Sequence, residues 1–178
     1  MNHGTQSVDE TKRHPIWMHE ALAEAQKAYE ENEVPVGAIV VHNNKIIGRG
    51  HNRTENLKDP TAHAEIIAIS AAANYLNSWR LTDTTVYITL EPCLMCTGAL
   101  ILSRIKRLVF GAYDKKFGAC GSVYNIPREN QFNHTFEVIP DILAEESQNF
   151  LRDFFLKKRM RKNPAPTKRI TSRSTDIA

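Results

Sequence analysis

Two short clusters hold the residue types that do chemistry: His63-Ala64-Glu65 and Pro92-Cys93-Leu94-Met95-Cys96, with the 26 residues 66–91 between them. Cys93 and Cys96 stand at i and i+3, so on a first helical turn both sulfurs project to one side. The partial positive charge of a helix N-terminus favours the thiolate that binds metal. His63 adds a neutral nitrogen. One nitrogen and two sulfurs make a soft tetrahedral set for zinc with one vertex open, as in a catalytic rather than a structural site. Zinc brings the pKa of a bound water toward ~7. Glu65 can reach such a water without ligating the metal and can carry its proton. A Cys-x-x-Cys alone also fits a redox pair or half of a structural zinc site. The third cysteine, Cys120, could close the site as a fourth ligand; a packed thiol is the expectation, because a closed site leaves Glu65 without a task.

The elements around these clusters follow from patterning. Trp17, Met18, Ala21, Leu22, Ala25, Ala28 and Tyr29 fall at helical spacing and predict an amphipathic helix over 16–31, ended by Val34-Pro35. VGAIVVH and KIIGRGHN are β-branched runs joined by Asn43-Asn44, a pair that tolerates positive φ and so predicts a hairpin. Residues 53–61 read as a polar loop, 63–76 as an Ala-rich helix, 84–90 as a buried strand, and 93–105 as an apolar helix opened by Pro92. Strands at 107–113 and 136–140 and a terminal helix over 142–161 complete the order, with Phe154 and Phe155 read as core. The expected class is α/β in three layers: a mixed five-stranded sheet, mostly parallel, covered on both faces, with an antiparallel N-terminal hairpin at its edge. The helices opening at His63 and Cys93 then begin at one end of the sheet, in the crevice where open α/β sheets bind ligands. The long segment 114–135 is expected to be functional.

With 178 residues, 42% apolar and 24% charged, the chain suits one globular domain and not a disordered or fibrous protein. The expected division is a flexible leader over 1–15, the domain over 16–162 and a basic disordered tail over 163–178. No apolar run approaches the ~20 residues that cross a bilayer, and the polar N-terminus lacks a secretory h-region. A soluble, cytoplasmic protein is therefore expected, and three cysteines are too few for a disulfide framework. The net charge of +3 hides an asymmetry. From residue 157 onward eight Lys and Arg face Asp176 alone, giving +7, whereas 15 cations and 19 acids give −4 over residues 1–156. A basic end on an acidic body points to a polyanionic partner or to a solubilising tail.

A carboxylate beside zinc-activated water can add hydroxide to an amidine-like ring carbon and expel ammonia, and His-x-Glu with Pro-Cys-x-x-Cys is the known signature of zinc deaminases. The chain resembles bacterial-type tRNA-specific adenosine deaminases of the cytidine deaminase-like superfamily from about Trp17 to Phe155. The residues carrying the likeness are EVPVGAIVVHNNKIIGRGHN (33–52), DPTAHAEIIAI (59–69), TLEPCLMCTGALILSRI (89–105), VFGAYDKKFGACGS (109–122), Asn133-His134 and Asp153-Phe154-Phe155.

The resemblance implies conversion of adenosine to inosine at wobble position 34 of a tRNA anticodon loop, with tRNA-Arg the usual substrate and a homodimer the usual state. It implies one zinc ion per subunit, ligated by His63, Cys93 and Cys96, with Glu65 as proton shuttle. Asn52 matches the base-binding Asn, Val36 and Leu90 the apolar pocket walls, and the Ala64 backbone a contact to zinc water or substrate. Asp114, Lys116, Asn133 and His134 would meet RNA around the extruded base, where single-stranded loops avoid the cost of unstacking a duplex. Lys157, Lys158, Arg159, Arg161 and Lys162 are expected phosphate contacts. His51 has no role as a ligand. The alternatives are a free guanine or cytosine nucleobase or nucleotide deaminase, and a non-catalytic zinc-stabilised RNA-binding protein.

Overall fold

The computed structural model describes residues 6–129 and 131–162. In chain order its elements are α1 (Gln6–Glu30), β1 (Gly37–His42), β2 (Lys45–His51), α2 (Thr54–Leu57), α3 (Ala64–Leu76), β3 (Thr85–Leu90), α4 (Leu94–Leu102), β4 (Arg107–Ala112), β5 (Glu137–Ile139) and α5 (Ala144–Lys162). Asn43 and Asn44 take left-handed backbone, with φ of 48° and 57°, and turn β1 into β2 as their residue type predicts.

The five strands form one sheet in the order β2-β1-β3-β4-β5. β3, β4 and β5 run parallel, whereas β1 is antiparallel to both β2 and β3. The sheet is thus mixed as expected but not mostly parallel, because the hairpin enters with β1 innermost, beside β3. Alternation along the strands separates two apolar layers. Ala38, Val40, Val86, Ile88, Leu108 and Phe110 pack with Ala64, Ala68, Leu100 and Ile101 of α3 and α4. Ile39, Val41, Tyr87 and Val109 pack on the other face with Met18 and Ala21 of α1. Each buried Val, Leu, Ile, Phe or Met among them contributes roughly 1.5–3 kcal/mol, so strands apolar on both faces hold both helical layers.

The expected leader is a difference. α1 begins at Gln6 rather than Ile16 and carries Pro15 inside it. The intervening Glu, Lys and Arg are polar but good helix formers, and His14 is buried, its Nδ1 lying 2.9 Å from the Tyr87 hydroxyl. Residues 1–5 and the tail over 163–178 lie outside the described residues. α4 also ends before Ile105, where Arg104 takes left-handed backbone at φ 58°.

What places the chemistry is the seat of α3 on the hairpin. A Cβ at Gly50 would stand 2.4 Å from the Ala64 carbonyl oxygen and 2.7 Å from the Ala68 nitrogen. Only glycine lets β2 come that close to the first turn of α3.

Candidate active site

His63 and Cys93 occupy equivalent positions: each is the extended N-cap residue of its helix, at φ −77°, ψ 154° and φ −73°, ψ 173°. Both caps therefore present a side chain, rather than a helical turn, at the end of the sheet where β3 finishes. His63 Nδ1 lies 3.7 Å from Cys93 Sγ and 3.5 Å from Cys96 Sγ. All three donor atoms stand within 4.8 Å of one another, and the group contains no other described His, Cys, Asp or Glu. Zn–N and Zn–S bonds of about 2.05 and 2.3 Å at tetrahedral angles require N···S separations of about 3.6 Å. The donor set and its spacing fit zinc. Cys120 stands outside the group: its buried thiol pairs with Thr97 Oγ1 at 3.3 Å, and burial pushes its pKa up to about 12.

The two thiols of the group shift in opposite directions. A hydrogen bond from the Cys96 thiol, supported by His63, pulls Cys93 down to about 4. Cys96, on the other side of that bond and itself buried, is pushed up. The bond to Cys93 also raises His63. Glu65, in the first turn of α3, is 4% exposed, and burial holds its carboxyl above the ordinary carboxylate range. Burial of that kind favours the protonated carboxyl, which suits a group that takes up a proton and later gives it away.

Asn52 stands just past β2, 6% exposed, its backbone N–H donating to the Val36 carbonyl at 3.0 Å. Its amide is held by a residue to which sequence reasoning assigned no role. Glu33, 1% exposed, accepts from Asn52 Nδ2 at 3.2 Å, from Thr54 Oγ1 at 3.3 Å and from the Asn56 N–H at 2.7 Å. Asn52 Nδ2 also reaches Thr54 Oγ1 at 3.2 Å. The amide nitrogen is thus committed to Glu33 and Thr54, which leaves Oδ1, an acceptor, to meet a ligand. Val36 packs half-buried against the core, Leu90 is half-buried at the end of β3, and Ala64 is fully buried.

The other expected residues divide. Asp114 is half-buried and caps its own turn, Oδ1 accepting from Lys116 N at 2.9 Å and Phe117 N at 3.2 Å, while Lys116 is exposed. That turn touches the metal group, since Gly118 bridges to Cys93 and Ala119 N donates to the Pro92 carbonyl at 2.9 Å. His134 is not brought there. Its Nε2 lies 2.8 Å from the Ile105 carbonyl oxygen, before the start of β4 and a strand length from Ala112, which abuts the site. Asn133 is its exposed neighbour.

Along α5, Lys157 lies over the Tyr29 ring, Lys158 over Phe154, and Arg161 donates to Asn32 Oδ1 at 3.2 Å, one residue from Glu33. Arg159 is exposed, and the Lys162 side chain is outside the described residues. Phe154 is buried as expected, but Phe155 is 42% exposed, because α5 turns only one face to α1. His51 is sandwiched by Glu24 and Glu31 at 3.5 and 3.3 Å, away from the metal group.

A mixed sheet with paired helix N-termini offering one imidazole and two thiols, beside a buried carboxyl, is the framework of the cytidine deaminase-like class. The chain matches the family described as MafB19-like deaminase over residues 12–159. It is 46% identical over 150 residues to the tRNA-specific adenosine deaminase of Bacillus subtilis, covering 84% of this chain and 93% of that one. To the tRNA-specific adenosine deaminase of Aquifex aeolicus it is 50% identical over 141 residues, covering 78% and 91%. A solved structure from work on A-to-I editing by tRNA:A34 deaminases at the wobble position of transfer RNA superposes with a TM-score of 0.73 at 42% identity, covering 75% of this chain and 97% of that one. The chain belongs to the family of tRNA-specific adenosine deaminases.

Proposed function

We propose that this protein hydrolyses adenosine to inosine at wobble position 34 of tRNA anticodon loops, releasing ammonia, with tRNA-Arg bearing A34 as substrate. The observation that carries the reading is the three-donor group of His63, Cys93 and Cys96 beside the buried Glu65, in a chain of this family. His63 Nδ1, Cys93 Sγ and Cys96 Sγ would hold one zinc ion per subunit. When bound there, zinc supplies the Lewis acidity that makes water a nucleophile near neutral pH.

The chain's own residues do the remainder. The Glu65 carboxyl takes a proton from the attacking water and returns it toward the departing amine, so adenosine and water become inosine and ammonia. Asn52 turns Oδ1 to the substrate because Glu33 and Thr54 hold its amide nitrogen. Val36 and Leu90 wall the pocket, and the Ala64 N–H, at the start of α3, is a donor for substrate or water. Asp114 and Lys116 meet RNA beside the extruded base, a contact not assigned to Asn133 and His134, which stand at the other end of β4. Lys157, Lys158, Arg159, Arg161 and Lys162 contact phosphate; the bond from Arg161 to Asn32 supports this by bringing the end of α5 to the Asn52 rim.

The active state is a homodimer, a reading supported by the exposed apolar residues Leu94, Met95 and Leu102 on α4. The compartment is the cytoplasm, in keeping with the absence, among the described residues, of any helix long and apolar enough to cross a membrane. The test is incubation with purified tRNA isoacceptors. Inosine should form at position 34 of A34-containing tRNA, with no ammonia from free adenine, cytosine or guanine; release from a free base and none from tRNA would overturn the reading.

A further inference from the structure

Glu91 is a buried acid that the proposed chemistry leaves without a task. It follows the last residue of β3, precedes Pro92-Cys93, and is 2% exposed. Its carboxylate is ringed by donors from one segment of chain. Oε2 accepts from the Asp114 N–H at 3.0 Å and from the Ser122 hydroxyl. Oε1 accepts from the Cys120 N–H at 2.9 Å and from the Ser122 N–H at 3.0 Å. A carboxylate accepts at both oxygens and donates at neither, so it suits four converging donors, whereas an amide would turn N–H groups against them. Gly118 is shaped to the same anchor. A Cβ there would stand 2.2 Å from Glu91 Oε2 and 2.5 Å from the Asp114 carbonyl oxygen.

We propose that Glu91 is the positioning residue of the substrate-facing loop. By gathering the N–H groups of Asp114, Cys120 and Ser122 and the Ser122 hydroxyl, it holds Asp114 and Lys116 in the register in which they meet RNA beside the metal group. The proposal rests on the reading of Asp114 and Lys116 as RNA contacts. Geometry separates this task from metal binding. The loop meets the metal group through Ala119 N to the Pro92 carbonyl and the Gly118–Cys93 bridge, both backbone contacts that Glu91 does not make.

The experiment compares wild-type protein with Glu91→Gln on an anticodon stem-loop RNA, with zinc content measured on both. Loss of a hydrogen bond to a charged acceptor predicts a KM about tenfold higher, with kcat changed by less than about threefold and zinc retained. Hydrogen exchange on the free protein should quicken at Asp114, Cys120 and Ser122 and stay unchanged in β1, β3 and β4. A fall in kcat at constant KM, loss of zinc, or unaltered exchange in the loop would each overturn the proposal. A merely structural role would lower the melting temperature without separating KM from kcat. Should Glu91→Gln fail to fold, Gly118→Ala, which crowds the carboxylate from the loop side, must raise KM in the same selective way; a wild-type KM there overturns it. If wild-type protein forms no inosine, the functional reading fails, and the exchange comparison still decides whether Glu91 anchors the loop.

Discussion

Glu33→Gln should invert what Asn52 offers to the base. Glu33 accepts three hydrogen bonds, the shortest from the Asn56 N–H at 2.7 Å. Glutamine has one acceptor oxygen, and the Asn56 bond claims it. Its amide hydrogens then face Asn52 Nδ2, a donor set against a donor. Asn52 relieves the conflict by turning over, which gives Oδ1 to the introduced amide and Nδ2 to the cleft. A substrate donor that met an acceptor now meets another donor, which costs about 1.5–3 kcal/mol, or roughly 10- to 150-fold in kcat/KM. The assay is deamination of an anticodon stem-loop under kcat/KM conditions, with zinc content and melting temperature recorded alongside. Asn52→Asp added to Glu33→Gln restores an acceptor in the cleft, so the pair should be non-additive by at least about 1 kcal/mol. Activity of Glu33→Gln within about twofold of wild type, or simple additivity in the double variant, would refute the orientation argument.

Two further outcomes follow from close approaches and from charge. Gly50→Ala drives a Cβ to 2.4 Å from the Ala64 carbonyl oxygen and should destabilise the fold by about 1–3 kcal/mol, read as a melting temperature lower by about 3–10 °C. An unchanged melting temperature would mean that α3 is not seated on β2 as described. Changing Lys157, Lys158 and Arg159 together to Gln should make the slope of log affinity for tRNA against log salt shallower by about 2, at about 0.7 per phosphate contact. An unaltered slope would leave those cations without phosphate partners.

The parts of this molecule legible in the sequence are those whose cause is local. Asn43-Asn44 announces the hairpin because few residue types accept φ of 48° and 57° in succession. Cys93 and Cys96 announce their helix start through Pro92 and their spacing, and the fold brings His63 to them because both helices open at one end of the sheet. What was missed depends on partners far along the chain. Glu91 and Ser122 are 31 positions apart, and its other donors are backbone N–H groups that carry no residue signature. Glu33 is equally silent, being one acid in a polar stretch until Asn52, Thr54 and Asn56 close around it. The one signal for Glu91 was an acid beside a buried apolar strand with no cation nearby in sequence. His134 was expected near the base through resemblance alone, and the chain path past β4 carries it to the other end of that strand. Over residues 6–15 the expected leader is helix instead, since polar residues do not oppose a helix and His14 has Tyr87 to meet.

The central claim is that His63, Cys93 and Cys96 hold the metal while Glu65 moves the proton, and it is tested most directly by Glu65→Ala. Zinc per chain, tRNA binding and inosine formation should be measured on the same preparation. Zinc and tRNA binding should stay close to wild type, with inosine formation lowered by at least about a hundredfold. Inosine formation at the wild-type rate by that variant, or by wild-type protein stripped of zinc, would contradict the claim.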